Sequence, residues 1–177
     1  MRAQDQDYGI AAKIFHWLIV LLLAAQYAVG SIMPHIGRET LNEGWVNWHL
    51  SLGAAILFFS VLRLGWRLMN PVQVPASVAP WERRLALFTH LMLYLLVFAM
   101  TVLGWAAANY RGWDVMLFGA VPLPPLAPKG TPWAHTAGDV HNVLVYVLLA
   151  FIVLHVAGAL VHQFVHRDRI LSRMMPH

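Results

Sequence analysis

The chain has 177 residues, 59% of them apolar and only 11% charged, with a formal net charge of +4 at pH 7. So little charge excludes an ordinary soluble domain and points to a membrane protein; the lack of cysteine excludes disulfides, thiolate-held iron–sulfur clusters, haem attached through C-x-x-C-H and sulfur-rich zinc sites. The positive balance does not signal nucleic acid, because the basic residues are strung along segment edges without the aromatic interleaving of a soluble reader.

Taken in chain order, apolar runs of about 20 residues predict four spanning helices at about 11–33, 46–68, 85–108 and 140–164. The expected fold class is all-α, an integral membrane four-helix bundle forming one domain over 1–177. The first run carries His16 near its start and is too long for a signal peptide, with no clear small-x-small cleavage site after it, so it reads as a retained span. The second carries His49 near its start and Arg63 and Arg67 near its end. The arginine stems can snorkel to the membrane edge, with haem propionates or lipid phosphates as the functional alternative. A connector with Pro71, Pro75 and Pro80 reads as extended.

The third run carries His90. The long loop after it, between Asn109 and Ala137, holds Pro122, Pro124, Pro125, Pro128 and Pro132 and is apolar enough to lie across the bundle as a cap. The fourth run holds His141 and His155, with His162 beyond. His35, His135, His166 and His177 read as solvated loop or tail residues. Trp17, Trp45, Trp48, Trp66, Trp81, Trp105, Trp113 and Trp133 cluster near helix ends or in loops, as interfacial anchors do. Gly53, Gly104 and Gly158 suit close approach of helices or of a macrocycle.

Arg2, Lys13, Arg63, Arg67, Arg83, Arg84, Arg167, Arg169 and Arg173 fall on one side of this topology, and only Arg38, Arg111 and Lys129 on the other. The positive-inside rule then places both termini in the cytoplasm, and a bacterial inner membrane is the simplest multi-pass assignment.

Depth pairs the histidines. His16 and His155 lie one to two turns inside the cytoplasmic edge, and His49 and His141 about a turn inside the opposite one. Fourteen residues separate His141 from His155, four turns less about 40°, so both rings project from nearly one face about 21 Å apart. Two pairs at two depths, each linking the fourth helix to another, suit two b-type haems held by paired axial imidazoles. Zinc or copper would want three or four ligands at one place. A single such histidine reads more simply as interhelical glue, but four in depth-matched pairs need a joint explanation. For His90 the open readings are a spare ligand, a quinone or propionate contact, or glue; for His162, a proton-carrying neighbour of a quinone or an interfacial residue.

The segments KIFHWL (13–18), WHLSLG (48–53), HLMLYLL (90–96), NYRG (109–112) and the stretch from His141 through His155 and His162 to RMMP (173–176) resemble the bacterial cytochrome b561 family across essentially the whole chain. The resemblance implies a four-helix inner-membrane dihaem cytochrome with His16, His49, His141 and His155 as iron ligands. It also implies an activity of superoxide oxidase type, in which superoxide gives its electron on the outer side, leaving O2, and ubiquinone is reduced on the inner side beside His162 and His90. The inner connector PVQVPASVAP departs from the family pattern in carrying no lysine near the quinone, with Arg83 or Arg84 as substitutes. The expected partners are the lipid bilayer, a quinone and superoxide, with no nucleic acid. A cytochrome b subunit fed by a separate protein electron donor is the second reading, and a haem-free membrane adaptor or transporter the third.

Overall fold

A computed structural model describes residues 8–71, 78–168 and 171–175; Arg2, Pro75, Arg169 and His177 lie outside the described residues. Four long helices dominate: α1 (Ile10–Ile32), α2 (Gly44–Met69), α3 (Pro80–Arg111) and α4 (Pro132–Val161). A π-helical turn, His162–His166, continues α4, and a short 3-10 turn, Ser172–Met174, follows. All four helices are long and apolar enough to cross a membrane. Outward-facing Ile14, Leu21, Leu91, Val143 and Val153 are exposed along their length, which is how a bundle solvated by lipid presents its surface. The end at which α1 begins and α4 finishes is called the lower end here, and the opposite end the upper.

Proline chemistry moves two boundaries away from the hydropathy estimate. α3 begins at Pro80 rather than Leu85 and α4 at Pro132 rather than Val140. Proline's fixed φ suits the first helical turn, where its missing N–H costs nothing. In α3 the Glu82 carboxylate accepts the Ala79 backbone N–H at 3.1 Å, satisfying one of the free donors of that turn. The 32 residues of α3 rise about 48 Å, more than the ~30 Å hydrocarbon core of a bilayer, so its ends project into the headgroup regions.

Seven-residue series orient the helices. At this spacing side chains return to nearly one face in a left-handed bundle. The series are His16–Leu23–Gly30 on α1, His49–Ile56–Arg63 on α2, His90–Val97–Gly104 on α3 and His141–Leu148–His155–His162 on α4. Together they form three layers. Ile56, Val97 and Leu148 are buried at the centre with Leu23 against them, and this apolar layer divides an upper layer (Gly30, His49, Gly104, His141) from a lower one (His16, Arg63, His90, His155).

Packing around the axis is uneven. α3 lies along α4, α1 along α2 and α2 against α3, whereas α4 meets α1 and α2 only sparsely. One direct tie between α1 and α4 is the Tyr27 hydroxyl, which donates to the Val145 carbonyl at 3.0 Å.

The long upper loop does not lie across the bundle as a cap. A two-stranded hairpin, β1 (Met116–Leu117) and β2 (Val121–Pro122), runs down the outside of α2. Its turn passes through left-handed backbone at Phe118 and Gly119, and the Phe118 ring packs at 5.7 Å from Phe58 and 6.0 Å from Phe59. Val115 of the descending chain fills a groove against the small side chains Ala54 and Ala108, which explains the downward course. The proline-rich remainder is fastened to α3: the Asn109 side chain accepts the Leu126 N–H at 2.8 Å and donates to the Trp113 carbonyl at 3.1 Å.

Replacing Leu148 with alanine should destabilise the bundle by about 2–5 kcal/mol, the usual cost of truncating a fully buried leucine. The measurement is thermal unfolding in detergent, with Val143→Ala on the exposed face of α4 as a control that should shift the midpoint little.

Candidate cofactor site

In the upper layer the His49 and His141 rings face each other across the α2–α4 gap with centroids 6.2 Å apart and planes at 81°. In the lower layer His16 and His155 do the same across the α1–α4 gap, at 6.3 Å and 76°. An imidazole nitrogen binds a metal at about 2 Å, so two rings gripping one ion from opposite sides have centres about 6 Å apart. Both pairs meet that spacing, and both bridge helices that otherwise pack sparsely.

The upper layer is built to admit something flat. A cavity of about 620 Å³ is lined by Gln26, Gly30, His49, Gly104 and His141, and at its mouth by Arg111, His135, Asp139 and Tyr146. That volume falls in the range of roughly 300–1,000 Å³ typical of cofactor pockets. The glycines make the room: a Cβ on Gly104 would lie 3.0 Å from the His141 ring, and one on Gly30 would lie 3.5 Å from His49. Gly53 meets only the Gln26 amide at 3.6 Å, and Gly158 has nothing within 4 Å, so of the three glycines expected to permit close approach Gly104 is the one in contact with a ring.

Hydrogen bonds fix the rings. His141 Nδ1 donates to the Met100 carbonyl at 2.9 Å, which sets the tautomer and leaves Nε2 as the free donor atom for a metal. Thus α3, which supplies no upper-layer histidine, orients one through its backbone. The Gln26 amide donates to the His49 carbonyl at 3.1 Å and lies 3.1 Å from His49 Nε2. His49 Nδ1 and Gln26 Oε1 are buried without a hydrogen-bond partner among the described residues. Orphans of this kind cost about 1–3 kcal/mol each, and their presence beside the cavity fits a site that receives a polar or metallic ligand.

The lower layer is more crowded. His90, unpaired in the depth argument, lies with its ring centre 5.1 Å from that of His155. The Arg63 guanidinium sits 3.4 Å from His16 Nδ1 and 5.3 Å over the Tyr94 ring. It makes no ion pair with a carboxylate among the described residues. No three His or acidic groups among the described residues converge on one point as a zinc or copper site would need. Below, the Trp17 indole donates to the Met174 carbonyl at 2.8 Å, tying the 3-10 turn beneath the layer.

His162 and His166, both on the π-helical turn, lie within hydrogen-bond distance of the Asp168 and Glu82 carboxylates, at 2.6 and 3.2 Å. His166 is therefore not a free tail residue, and His135 sits in the first turns of α4 beside Asp139 at 3.6 Å, exposed. On the upper side Arg111 donates to the Gly37 carbonyl at 2.8 Å and stacks on Trp113. Sequence reasoning passed over Gln26, Met100, Tyr94, Glu82 and Asp168. The seven-residue series would have marked the two layers; nothing local flags a backbone carbonyl such as that of Met100.

The sequence profile described as prokaryotic cytochrome b561 matches residues 7–177. Among curated proteins, the chain is 30% identical over 175 residues to cytochrome b561 homolog 2 of Escherichia coli (strain K12), spanning 96% of this chain and 92% of that one. It is 30% identical over 173 residues to cytochrome b561 homolog 1 of the same organism, spanning 91% and 92%. It is 29% identical over 163 residues to the probable superoxide oxidase CybB of Yersinia pestis, spanning 91% of each.

Gly104→Leu should fill the upper cavity against the His141 ring. Purified variant protein should carry less b-type haem per chain than the parent, while Gly158→Leu should leave the haem content unchanged.

Proposed function

The chain belongs to the prokaryotic cytochrome b561 family of membrane electron-transfer proteins, which carry b-type haem, and on that premise we propose that it holds two haems and passes electrons from superoxide on the periplasmic side to ubiquinone on the cytoplasmic side of a bacterial inner membrane. The lower end, with both termini, faces the cytoplasm in this reading, in keeping with the bias of basic residues. His49 and His141 would hold the outer haem, and His16 and His155 the inner.

The observation that carries the proposal is the pair of ring separations, 6.2 and 6.3 Å, on either side of one apolar layer. Bound haem would supply a one-electron redox centre, and paired histidines suit a centre that passes electrons. The Met100 carbonyl keeps the His141 proton on Nδ1, raising the basicity of the ligating nitrogen. The Arg63 guanidinium, 3.4 Å from His16 Nδ1, would be placed to pair with a carboxylate of the bound group, the charge-assisted partner it lacks among the described residues. Leu23, Ile56, Val97 and Leu148 keep water out between the layers, so protons do not follow the electrons through the bundle. At the outer mouth Arg111 offers positive charge to an arriving superoxide anion. His162 and His90 serve the quinone on the inner side.

Two of the relatives at 30% identity are named only as cytochromes, which favours a second reading: an electron-transfer subunit fed by a separate dehydrogenase or periplasmic protein.

The deciding measurement is a reduced-minus-oxidised visible spectrum of purified protein with haem quantified per chain. Two low-spin b haems are expected, with His141→Ala and His155→Ala each removing a different one; loss of both in each variant would argue against separable sites. Superoxide generated enzymatically should then reduce the haem and, with ubiquinone-1 added, form ubiquinol. Haem that stays oxidised under superoxide yet is reduced by a copurifying protein would select the second reading.

A further inference from the structure

At the lower end two histidine–carboxylate pairs stand side by side on one π-helical turn, outside both layers. His162 Nδ1 lies 2.6 Å from Asp168 Oδ2, and His166 Nε2 lies 3.2 Å from Glu82 Oε1. The two imidazole centres are 5.2 Å apart.

The backbone is shaped to make this arrangement. α4 widens into the π turn over His162–His166 and is then reversed by Arg167 at φ 53°, a left-handed conformation sparsely populated by residues other than glycine. The reversal brings the Asp168 N–H to the His162 carbonyl at 3.3 Å and its carboxylate to the His162 ring. Single π turns inside α-helices occur often at functional sites. Glu82, from α3, divides its carboxylate between the Ala79 N–H and His166, so the second pair is anchored in a helix start.

Exposure falls along the cluster. The His166 side chain is 44% exposed, whereas those of His162, Asp168 and Glu82 are 17%, 19% and 14% exposed. The wet member thus stands beside three that are mostly covered. His162 lies seven residues beyond His155 on the same face of α4, about 10 Å further toward the lower end.

We propose that these four side chains form a proton-delivery relay, in which His166 with Glu82 takes protons from the cytoplasm and His162 with Asp168 hands them to the quinone. The proposal rests on the reading of His162 as a neighbour of the quinone. Reduction of a quinone to quinol adds two electrons and two protons, converting both ring C=O groups to C–OH. The electrons arrive one at a time from the inner haem. For each proton, imidazolium His162 gives its Nε2 proton to a quinone oxygen and becomes neutral, with Nδ1–H still donated to Asp168. His166 then returns a proton to Nε2, directly or through one water, and is itself recharged from bulk water. Asp168 is a positioning residue: its carboxylate, 2.6 Å from Nδ1, holds a proton on that nitrogen and so keeps Nε2 as the exchanging atom.

The test uses haem-loaded full-length protein, chemically reduced and mixed with ubiquinone-1 in H2O and in D2O. Asp168→Asn is expected to slow quinol formation at saturating quinone by about 10–100-fold and to raise the solvent isotope effect. KM for ubiquinone-1, the haem spectrum and reduction of haem by superoxide should not change, and Asp168→Glu should recover most of the rate. Glu82→Gln should show the same pattern more weakly and serves in place of Asp168→Asn should that variant fail to fold. An unchanged rate and isotope effect in Asp168→Asn and Glu82→Gln, with His162→Ala still abolishing quinol formation, would overturn the relay and leave the quinone reading standing. A rise in KM alone would overturn it as well, by making Asp168 a binding residue. Unchanged quinol formation in His162→Ala would remove the quinone reading itself, and the relay with it.

Discussion

An imidazole carried into an apolar bundle brings two ring nitrogens that must each find a partner, because hydrocarbon offers none and an unsatisfied buried polar group is costly. Four histidines on the inward faces of these helices set that requirement, and much of the structure is arranged around it. His141 meets it on one side with the Met100 carbonyl. His49 leans on Gln26 and leaves Nδ1 without a partner among the described residues. His16 meets Arg63, itself a cation in need of an anion. Among the described residues, therefore, at least one ring nitrogen stays unsatisfied. In the proposed reading a b-type haem, which the family carries, would supply what the helices leave open: a metal for the ring nitrogens and carboxylates for the arginine.

The sparse contact of α4 with α1 and α2 follows from the same requirement. Helices that packed side by side at the usual 8–10 Å would leave no room for a planar group between opposed rings. The bundle instead concentrates its packing in α3 against α4 and α1 against α2, and closes the centre with a single apolar layer of Leu23, Ile56, Val97 and Leu148. The layers above and below differ in kind. Upstairs, glycines face the histidines and a cavity opens to the surface; downstairs, Arg63 and His90 crowd the same positions and the Trp17–Met174 bond ties a floor beneath them.

The spans were legible in hydropathy alone, because lipid demands long uninterrupted apolar helices and little else produces them. The partnership of His16 with His155 and of His49 with His141 was legible from depth, since antiparallel helices of known rise leave few ways to match levels. The seven-residue series is present in the sequence too, most plainly on α4. Other features had no local signal. Proline extended α3 and α4 into segments that hydropathy scores as loop. Apolar residues in the upper loop suggested a lid, but whether such a segment lies across or alongside a bundle depends on where small side chains leave a groove, and Ala54 and Ala108 lie on different helices. The partnership of His162 with Asp168 depends on one left-handed residue, Arg167, and nothing in the identity of an arginine announces that conformation.

Electrons and protons have opposite needs in such a molecule, and the asymmetry of the two ends answers to both. Electron transfer tolerates an apolar layer between centres, whereas proton transfer needs a chain of groups that hydrogen-bond. In the proposed reading, oxidising superoxide releases no proton and requires access, and the upper end has an open cavity. In the same reading, reducing a quinone consumes protons, and at the lower end two imidazoles each stand beside a carboxylate. The central layer, free of polar side chains at Leu23, Ile56, Val97 and Leu148, separates these chemistries. A bundle built on one seven-residue pattern can therefore keep its proton chemistry to one side of a membrane, because the residues that divide one end from the other are the same ones that hold the helices together.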